Sequence, residues 1–300
     1  MVEPHVAAIL KPPIASVSLP EARALCDRLT RTHYENFTVM SWLVPRDLRP
    51  HVAALYAYCR TVDDIGDEAP GDRLALLDRY EAQLDAAFSG DPVHPVLIAL
   101  RETIRRFDLP RKPFARLIEA NRIDQRTSRY ISYSELLGYC ENSANPVGRL
   151  MLRLFGYHDA ERFALSDATC TALQLTNFWQ DVRRDRMAGR IYLPQDEMAG
   201  FGVSEADLDE GRATEALRTL IRFQVERTRG LFGEGIPLID SVRGRLRADL
   251  TLFSRGGLSI LDAIERQGFD PLVRRPTLGR AAKLGLILSS LFSSRWRRRL

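Results

Sequence analysis

Apolar residues return every three to four positions along almost all of this 300-residue chain, and no sustained stretch alternates apolar with polar. A period near 3.6 without a period of 2 commits a chain to helices packed on helices. The periodicity predicts helices over about 21–31, 47–66, 71–88, 94–107, 112–127, 133–155, 159–186, 212–232, 236–253, 257–267 and 279–296. The gaps carry turn chemistry: Ala69-Pro70-Gly71, Ser89-Gly90-Asp91-Pro92, Leu109-Pro110 and Gly200-Phe201-Gly202. No repeat and no Gly/Ser- or Pro-rich linker divides the chain, so the expected fold class is all-α, a single domain of long helices around a common interior. Residues 1–20, with Pro4, Pro12, Pro13 and Pro20, read as a flexible lead-in, 21–275 as the domain, and 276–300 as a basic amphipathic helix. In that last segment apolar 284–292 precede Arg295, Arg297, Arg298 and Arg299, a pattern that suits either a last core helix with a solvated end or contact with a membrane interface.

Composition narrows the function classes. The four cysteines, Cys26, Cys59, Cys140 and Cys170, show no C-x-x-C spacing and no histidine cluster, which argues against a zinc site or a disulfide framework and for a reducing compartment. The first 20 residues lack the order of a secretory signal, and no apolar run reaches the roughly 20 residues of a membrane span. A cytoplasmic protein is expected, with peripheral attachment at the inner face of the cytoplasmic membrane as the alternative. The net charge is +4, and all but three of the 43 basic residues are arginine. Arginine excess suits phosphate or an anionic surface, and equally a genome's composition.

Two acidic stripes carry the chemistry. Asp63 and Asp67, four apart in Tyr56-Ala57-Tyr58-Cys59-Arg60-Thr61-Val62-Asp63-Asp64-Ile65-Gly66-Asp67-Glu68, project about 40° apart on a helix. Like charges at that spacing repel unless a cation compensates. Mg²⁺ takes few protein carboxylates and leaves positions for water and substrate phosphate. Arg60 lies one turn earlier, able to contact a phosphate or tether a carboxylate. Asn177, Asp181 and Asp185 form the second stripe, at i, i+4 and i+8 beside Phe178, Trp179 and Val182. A polar stripe among bulky apolar residues is unusual for an exposed face. Arg190 and Tyr192 follow and suit closure over an anion. Two such faces meeting across a helical cavity would gather Mg²⁺ ions around a diphosphate leaving group.

These motifs, in this order, resemble the head-to-head trans-isoprenyl diphosphate synthases, the squalene and phytoene synthases, over roughly 25–280. The resemblance implies an isoprenoid synthase bundle around a central hydrophobic cavity, and two or three Mg²⁺ ions held by Asp63, Asp64, Asp67, Asn177, Asp181 and Asp185. It places Asp63, Asp67, Asp181, Asp185 and Arg60 at the catalytic centre. Tyr56, Asn36, Phe37, Tyr139, Asn145, Gln174, Asn177, Arg190 and Tyr192 would contact substrate. A late diphosphate-binding arginine is also implied, with Arg274, Arg275 and Arg280 competing for the place.

Many relatives carry His-Ser-x-Ser-Phe where this chain reads His33-Tyr34-Glu35-Asn36-Phe37, with both serines replaced. Glu35-Asn36-Phe37 and Asn142-Ser143-Ala144-Asn145-Pro146 resemble the hydroxysqualene-forming branch of bacterial hopanoid biosynthesis. That branch implies ionisation of presqualene diphosphate, rearrangement, and capture of the cation by water. It also implies hand-over from a presqualene diphosphate synthase and on to a hydroxysqualene reductase. Phe37, Tyr139, Phe178 and Trp179 are candidate aromatic faces for the cation, and Asn36, Glu35 or Asn145 for placing the water. No G-x-G-x-x-G fingerprint follows a strand, so no nicotinamide cofactor is expected. The competing enzymatic reading is condensation of two prenyl diphosphates to presqualene diphosphate, squalene or phytoene-type products. Nucleic-acid binding would want a basic stripe with few carboxylates, which the acidic motifs contradict.

Overall fold

The computed structural model describes residues 4–10, 17–32, 44–279 and 285–286, and these are all-α as expected. The helices are α1 (Pro4–Leu10), α2 (Leu19–Thr32), α3 (Arg49–Asp67), α4 (Arg73–Ser89), α5 (Pro95–Phe107), α6 (Arg111–Asp124) and α7 (Tyr133–Ser143). They continue with α8 (Asn145–Leu154), α9 (Ala160–Met187), α10 (Gln195–Gly200), a 3₁₀ turn at Glu205–Leu208, α11 (Glu215–Gly235), α12 (Pro237–Ser241) and α13 (Gly244–Arg266). Among the described residues the one isolated β-bridge is a parallel contact of Arg129 with Ile191. The chain gathers into two compact units, residues 1–126 with 149–158, and 127–148 with 159–300.

In the first unit α3 is the hub, packed by α1, α2, α4, α5 and α6. Tyr58, Tyr80 and Phe114 fill its core. Tyr58 stacks on Tyr80 with centroids 5.6 Å apart and donates its hydroxyl to the Phe114 carbonyl at 2.9 Å. The Ala69-Pro70-Gly71 break ends α3 as expected, with Gly71 at φ +85°, a conformation that favours glycine. Asp72 then caps α4 by accepting from the Ala75 amide at 3.0 Å.

In the second unit α9, 28 residues long, is the hub, packed by α7, α11, α12 and α13. Asp159 caps its start, accepting from the Arg162 amide at 3.0 Å. Trp179 is fully buried and donates to the Thr228 hydroxyl at 2.9 Å, pinning α9 to α11.

Three expectations change. The lead-in is not loose throughout: Pro4–Leu10 is helical, with His5, Val6 and Ile9 buried. The predicted helix over 133–155 is two, because the chain re-starts at Asn145-Pro146, where proline suits a first turn and cannot continue the one before. The predicted helices over 236–253 and 257–267 are not separated at 254–256, since α13 runs through from Gly244 to Arg266; a Cβ on Gly257 would lie 2.4 Å from the Phe232 ring, so this glycine serves close packing inside the helix. The expected basic helix over 276–300 lies mostly outside the described residues.

Candidate active site

The first acidic stripe is the last turn of α3, where the carbonyl end of a helix already disfavours negative charge. Asp63 and Asp67 are open to solvent, whereas Asp64 is 1% exposed. Asp64 turns into the protein, accepting from His5 Nε2 at 2.5 Å and pairing with Arg60. Burial would raise its carboxyl, but the hydrogen bonds from His5 and Arg60 outweigh burial and hold it below the ordinary range. Asp64, which the resemblance placed among the metal ligands, is thus engaged inward by His5 and Arg60 while Asp63 and Asp67 face solvent. Arg60 tethers carboxylates rather than standing free: it holds Asp64 and reaches Glu68 at 3.4 Å.

Asp63 is held differently. Asn121 on α6 donates to its Oδ1 at 3.3 Å, and Gln125, one turn on, donates to the Gly66 carbonyl at 2.9 Å. That approach depends on Gly66, since a Cβ there would lie 2.1 Å from Asn121 Oδ1. Protein crowding pushes the Asp63 carboxyl up to about 7; Asn121 and Arg60 pull it down, and Asp67 and Asp64 push it further up. Access to water tempers this rise without changing its sign. Tyr56, half-buried on α3, lies four residues before Arg60 and seven before Asp63, so all three share a face.

The second stripe runs down α9. Gln174, Asn177, Asp181 and Asp185 share one face, with Asn177 exposed and the others part-buried. Arg275 clamps Asp181 through both carboxylate oxygens, Nε to Oδ1 at 2.5 Å and Nη2 to Oδ2 at 2.8 Å, and also donates to Gln180 at 3.1 Å. The segment bearing Arg275 is strapped across α9 by Gln180 donating to the Pro276 carbonyl and Arg183 to the Leu272 carbonyl. Among the three competing arginines, Arg275 is the one on the acidic stripe. Arg274 bonds Gln267 instead, and Arg280 lies outside the described residues. Burial pushes the Asp185 carboxyl up to about 7, Asp181 adds to the rise, and Arg190, Arg184 and Arg275 oppose it.

Gly189, at φ +81°, ends α9 and lets the Arg190 amide return to the Asp185 carbonyl at 2.8 Å. The chain then runs past 128–131, with the Ile191 amide on the Ser128 carbonyl at 2.9 Å and the Gln195 amide on the Tyr130 carbonyl at 2.9 Å. This lays Tyr192 flat on Phe178, centroids 3.8 Å and planes 9° apart, with Tyr139 6.0 Å and Tyr130 5.7 Å from Tyr192. Asp185, Arg190, Phe178, Val182 and Tyr192 line a small pocket with room for about one water molecule. Of the aromatic candidates, Tyr139 and Phe178 belong to this cluster. Trp179 meets it only edge-on, 6.4 Å from Phe178, and its buried indole is bonded to Thr228 on α11. Asn145 is 6% exposed, and its side-chain oxygen accepts from the Thr171 hydroxyl at 3.0 Å, so it braces α8 against α9. Glu35, Asn36 and Phe37 lie outside the described residues.

Both stripes suit a hard divalent cation. Each presents oxygen donors only, and each holds a carboxyl pushed up to about 7, where an added cation would favour the ionised form. Among the described residues no three His, Cys, Asp or Glu side chains form a closed cage. Mg²⁺ that keeps waters and substrate phosphate needs no closed cage, only one or two protein carboxylates.

The match to known proteins agrees with this geometry. Residues 30–282 match the squalene/phytoene synthase family model. The chain belongs to the squalene/phytoene synthase family. Members are prenyltransferase-type enzymes of isoprenoid biosynthesis that act on prenyl diphosphates. The chain is 35% identical to a phytoene synthase of Arthrospira platensis over 84% of this chain and 86% of that one. It is similar in structure to the squalene synthase HpnC of Alicyclobacillus acidocaldarius, with TM-score 0.81, 49% identity, and coverage of 87% of this chain and 98% of that one. A dehydrosqualene synthase solved with a ligand gives TM-score 0.84 at 25% identity, covering 91% of this chain and 96% of that one. These likenesses bear out the all-α isoprenoid-synthase expectation. Among the described residues no helix is long and apolar enough to cross a membrane.

Sequence reasoning missed the supports. Asn121 and Gln125, four apart on an otherwise apolar face of α6, were a legible polar pair. Asp249 on α13 was not: it is 2% exposed, neither oxygen has a hydrogen-bond partner, and burial pushes it up to about 7.

Proposed function

We propose that this family member ionises presqualene diphosphate and captures the rearranged cation with water, giving hydroxysqualene and diphosphate for squalene and hopanoid synthesis. The observation that carries the reading is the 49% identity to the squalene synthase HpnC across nearly all of that chain, against 35% and 25% for the phytoene and dehydrosqualene synthases above. The Glu35-Asn36-Phe37 and Asn142–Asn145 segments point the same way.

In this reaction the substrate C–O bond breaks with its electron pair leaving on diphosphate, and after rearrangement a water oxygen forms the new C–O bond and one proton is released. Two or three Mg²⁺ ions, held by Asp63, Asp67, Asn177, Asp181 and Asp185, would supply the charge that stabilises the leaving diphosphate. Arg190, beside Asp185, presents a guanidinium to the same anion, and Arg275 holds Asp181 in place from the other side. Phe178, Tyr192, Tyr139 and Tyr130 offer aromatic faces, which stabilise positive charge without attacking it. An alcohol product needs no hydride, so no nicotinamide cofactor enters. The substrate would come from a condensing relative and the product pass to a reductase, with a peripheral membrane hand-over fitting lipids at both ends.

Head-to-head condensation of two prenyl diphosphates is the second reading, favoured by the phytoene synthase relatives. Purified protein with Mg²⁺ and no NADPH is given farnesyl diphosphate or presqualene diphosphate. Hydroxysqualene from presqualene diphosphate alone is the expected result. Presqualene diphosphate or a C30 hydrocarbon from farnesyl diphosphate overturns it in favour of condensation.

A further inference from the structure

The family match begins at residue 30, so α1 lies before the matched region, yet it docks on α3, α4 and α5. Its contact is polar as well as apolar. Val6 and Ile9 are buried, and His5, fully buried, is bonded at two points. Its Nε2 donates to Asp64 Oδ2 at 2.5 Å, and its backbone carbonyl accepts from His94 Nε2 at 2.9 Å. Tyr80 packs edge-on against His94 at 5.1 Å, closing the cluster from α4. The other oxygen of Asp64 takes Arg60. Asp64 lies between Asp63 and Asp67 in sequence but on the reverse side of the turn, so its partners hold that turn from behind while Asn121 and Gln125 hold it at Asp63 and Gly66. Without His5, Asp64 would keep one cation and lose its buried donor, and Arg60 would carry the whole carboxylate.

We propose that α1 is a latch on the reverse side of the first acidic turn, with His5 a positioning residue that fixes Asp64, and through it Arg60 and the orientation of Asp63 and Asp67. The proposal rests on reading Asp63 and Asp67 as holders of a metal-bound diphosphate. It does not depend on which prenyl diphosphate is the substrate.

The test is the rise in melting temperature of the full-length protein on adding Mg²⁺ with inorganic diphosphate, read as an apparent Kd. His5→Ala is expected to weaken that affinity about 10-fold, the low end of the range for a direct partner of a metal ligand, because His5 acts one side chain further out. His5→Gln, which keeps a donor, restores most of it. Val6→Ala lowers the melting temperature but leaves the affinity unchanged. Should His5→Ala fold poorly, His5→Phe, which keeps the bulk without the donor, takes its place against His5→Gln. Wild-type affinity in the donorless variant, or equal loss in Val6→Ala, overturns the latch. A wild-type shift combined with a condensation product sinks the proposed reaction and leaves the latch standing. No wild-type shift overturns both.

Discussion

On α3, Asp63 takes a neutral amide from Asn121, whereas on α9, Asp181 takes a guanidinium from Arg275 on both oxygens. The nearest cation on α3, Arg60, is engaged by Asp64 on the reverse side of the helix. The first stripe thus keeps Asp63 poor in cations, and the second is partly neutralised in advance. Each nonetheless holds one carboxyl pushed up, Asp185 to about 7 by burial and Asp63 in the same direction with access to water tempering the rise. The contrast teaches that an acidic motif can be prepared for a metal by withholding cations or by lending one. If the proposed Mg²⁺ binds, the metal would do most of the neutralising in the first case; in the second, the arginine fixes the carboxylate's geometry first.

The strongest way to break the contrast is to remove either stripe. Asp63→Asn and Asp181→Asn are each expected to lower diphosphate release by about 1,000-fold or more, since each removes charge stabilisation worth several kcal/mol in the transition state. An effect on only one side would mean that only one stripe takes part. Arg275→Ala is expected to cost about 10- to 100-fold in turnover, the scale of a charge-assisted hydrogen bond in catalysis. Arg275→Lys should restore little, because an ammonium cannot reproduce the two-point contact. Equal activity in the lysine variant would reduce Arg275 to a general counter-charge.

A smaller effect sharpens the α3 side. Gly66→Ala pushes a methyl into Asn121, and a loss of about 1–3 kcal/mol in unfolding free energy is expected from such overpacking. The variant should also raise the Mg²⁺ concentration needed for half-maximal rate, because Asn121 can no longer hold Asp63.

The pH dependence follows from the same carboxyls. A carboxyl with a higher pKa folded than unfolded binds its proton more tightly in the fold. Its contribution therefore favours folding at low pH and is lost as pH rises from about 4 to about 7. Asp63, Asp185 and Asp249 all behave this way, so the metal-free protein should unfold more readily at pH 8 than at pH 5. Mg²⁺ with diphosphate should cancel the part due to Asp63 and Asp185. Asp249→Asn should cancel the rest, raising stability at pH 8 by ~2 kcal/mol in denaturant unfolding. A flat profile in the unmodified protein would mean that these carboxyls are solvated better than their surroundings indicate.

Much of this was legible in the sequence. Period and punctuation place α3, α4 and α9 within a residue or two, because their apolar faces are long and their ends carry Pro, Gly and Asp. The 3.6-residue repeat puts Asp63 with Asp67, and Asn177 with Asp181 and Asp185, on common faces. What sequence cannot rank is which of adjacent acids turns inward. Asp64 reads as a third ligand until His5, 59 residues away, is seen beside it. Arg275 is one of several late arginines until Gln180 and Arg183 strap its segment onto α9. Trp179 looks like a cavity aromatic until Thr228 claims its indole. These are long-range pairings, and local periodicity carries no information on them.

Ionisation of the carbon–oxygen bond followed by capture of the cation with water puts a solvent oxygen in the product alcohol. The most direct measurement is to run the presqualene diphosphate reaction in water enriched in heavy oxygen and to weigh both products. Label in the hydroxyl of a rearranged alcohol, with diphosphate unlabelled, is the expected result. An unlabelled alcohol with labelled phosphorus products would mean simple phosphoester hydrolysis, and a hydrocarbon carrying no oxygen would place the chain in the condensing branch; either would contradict the account.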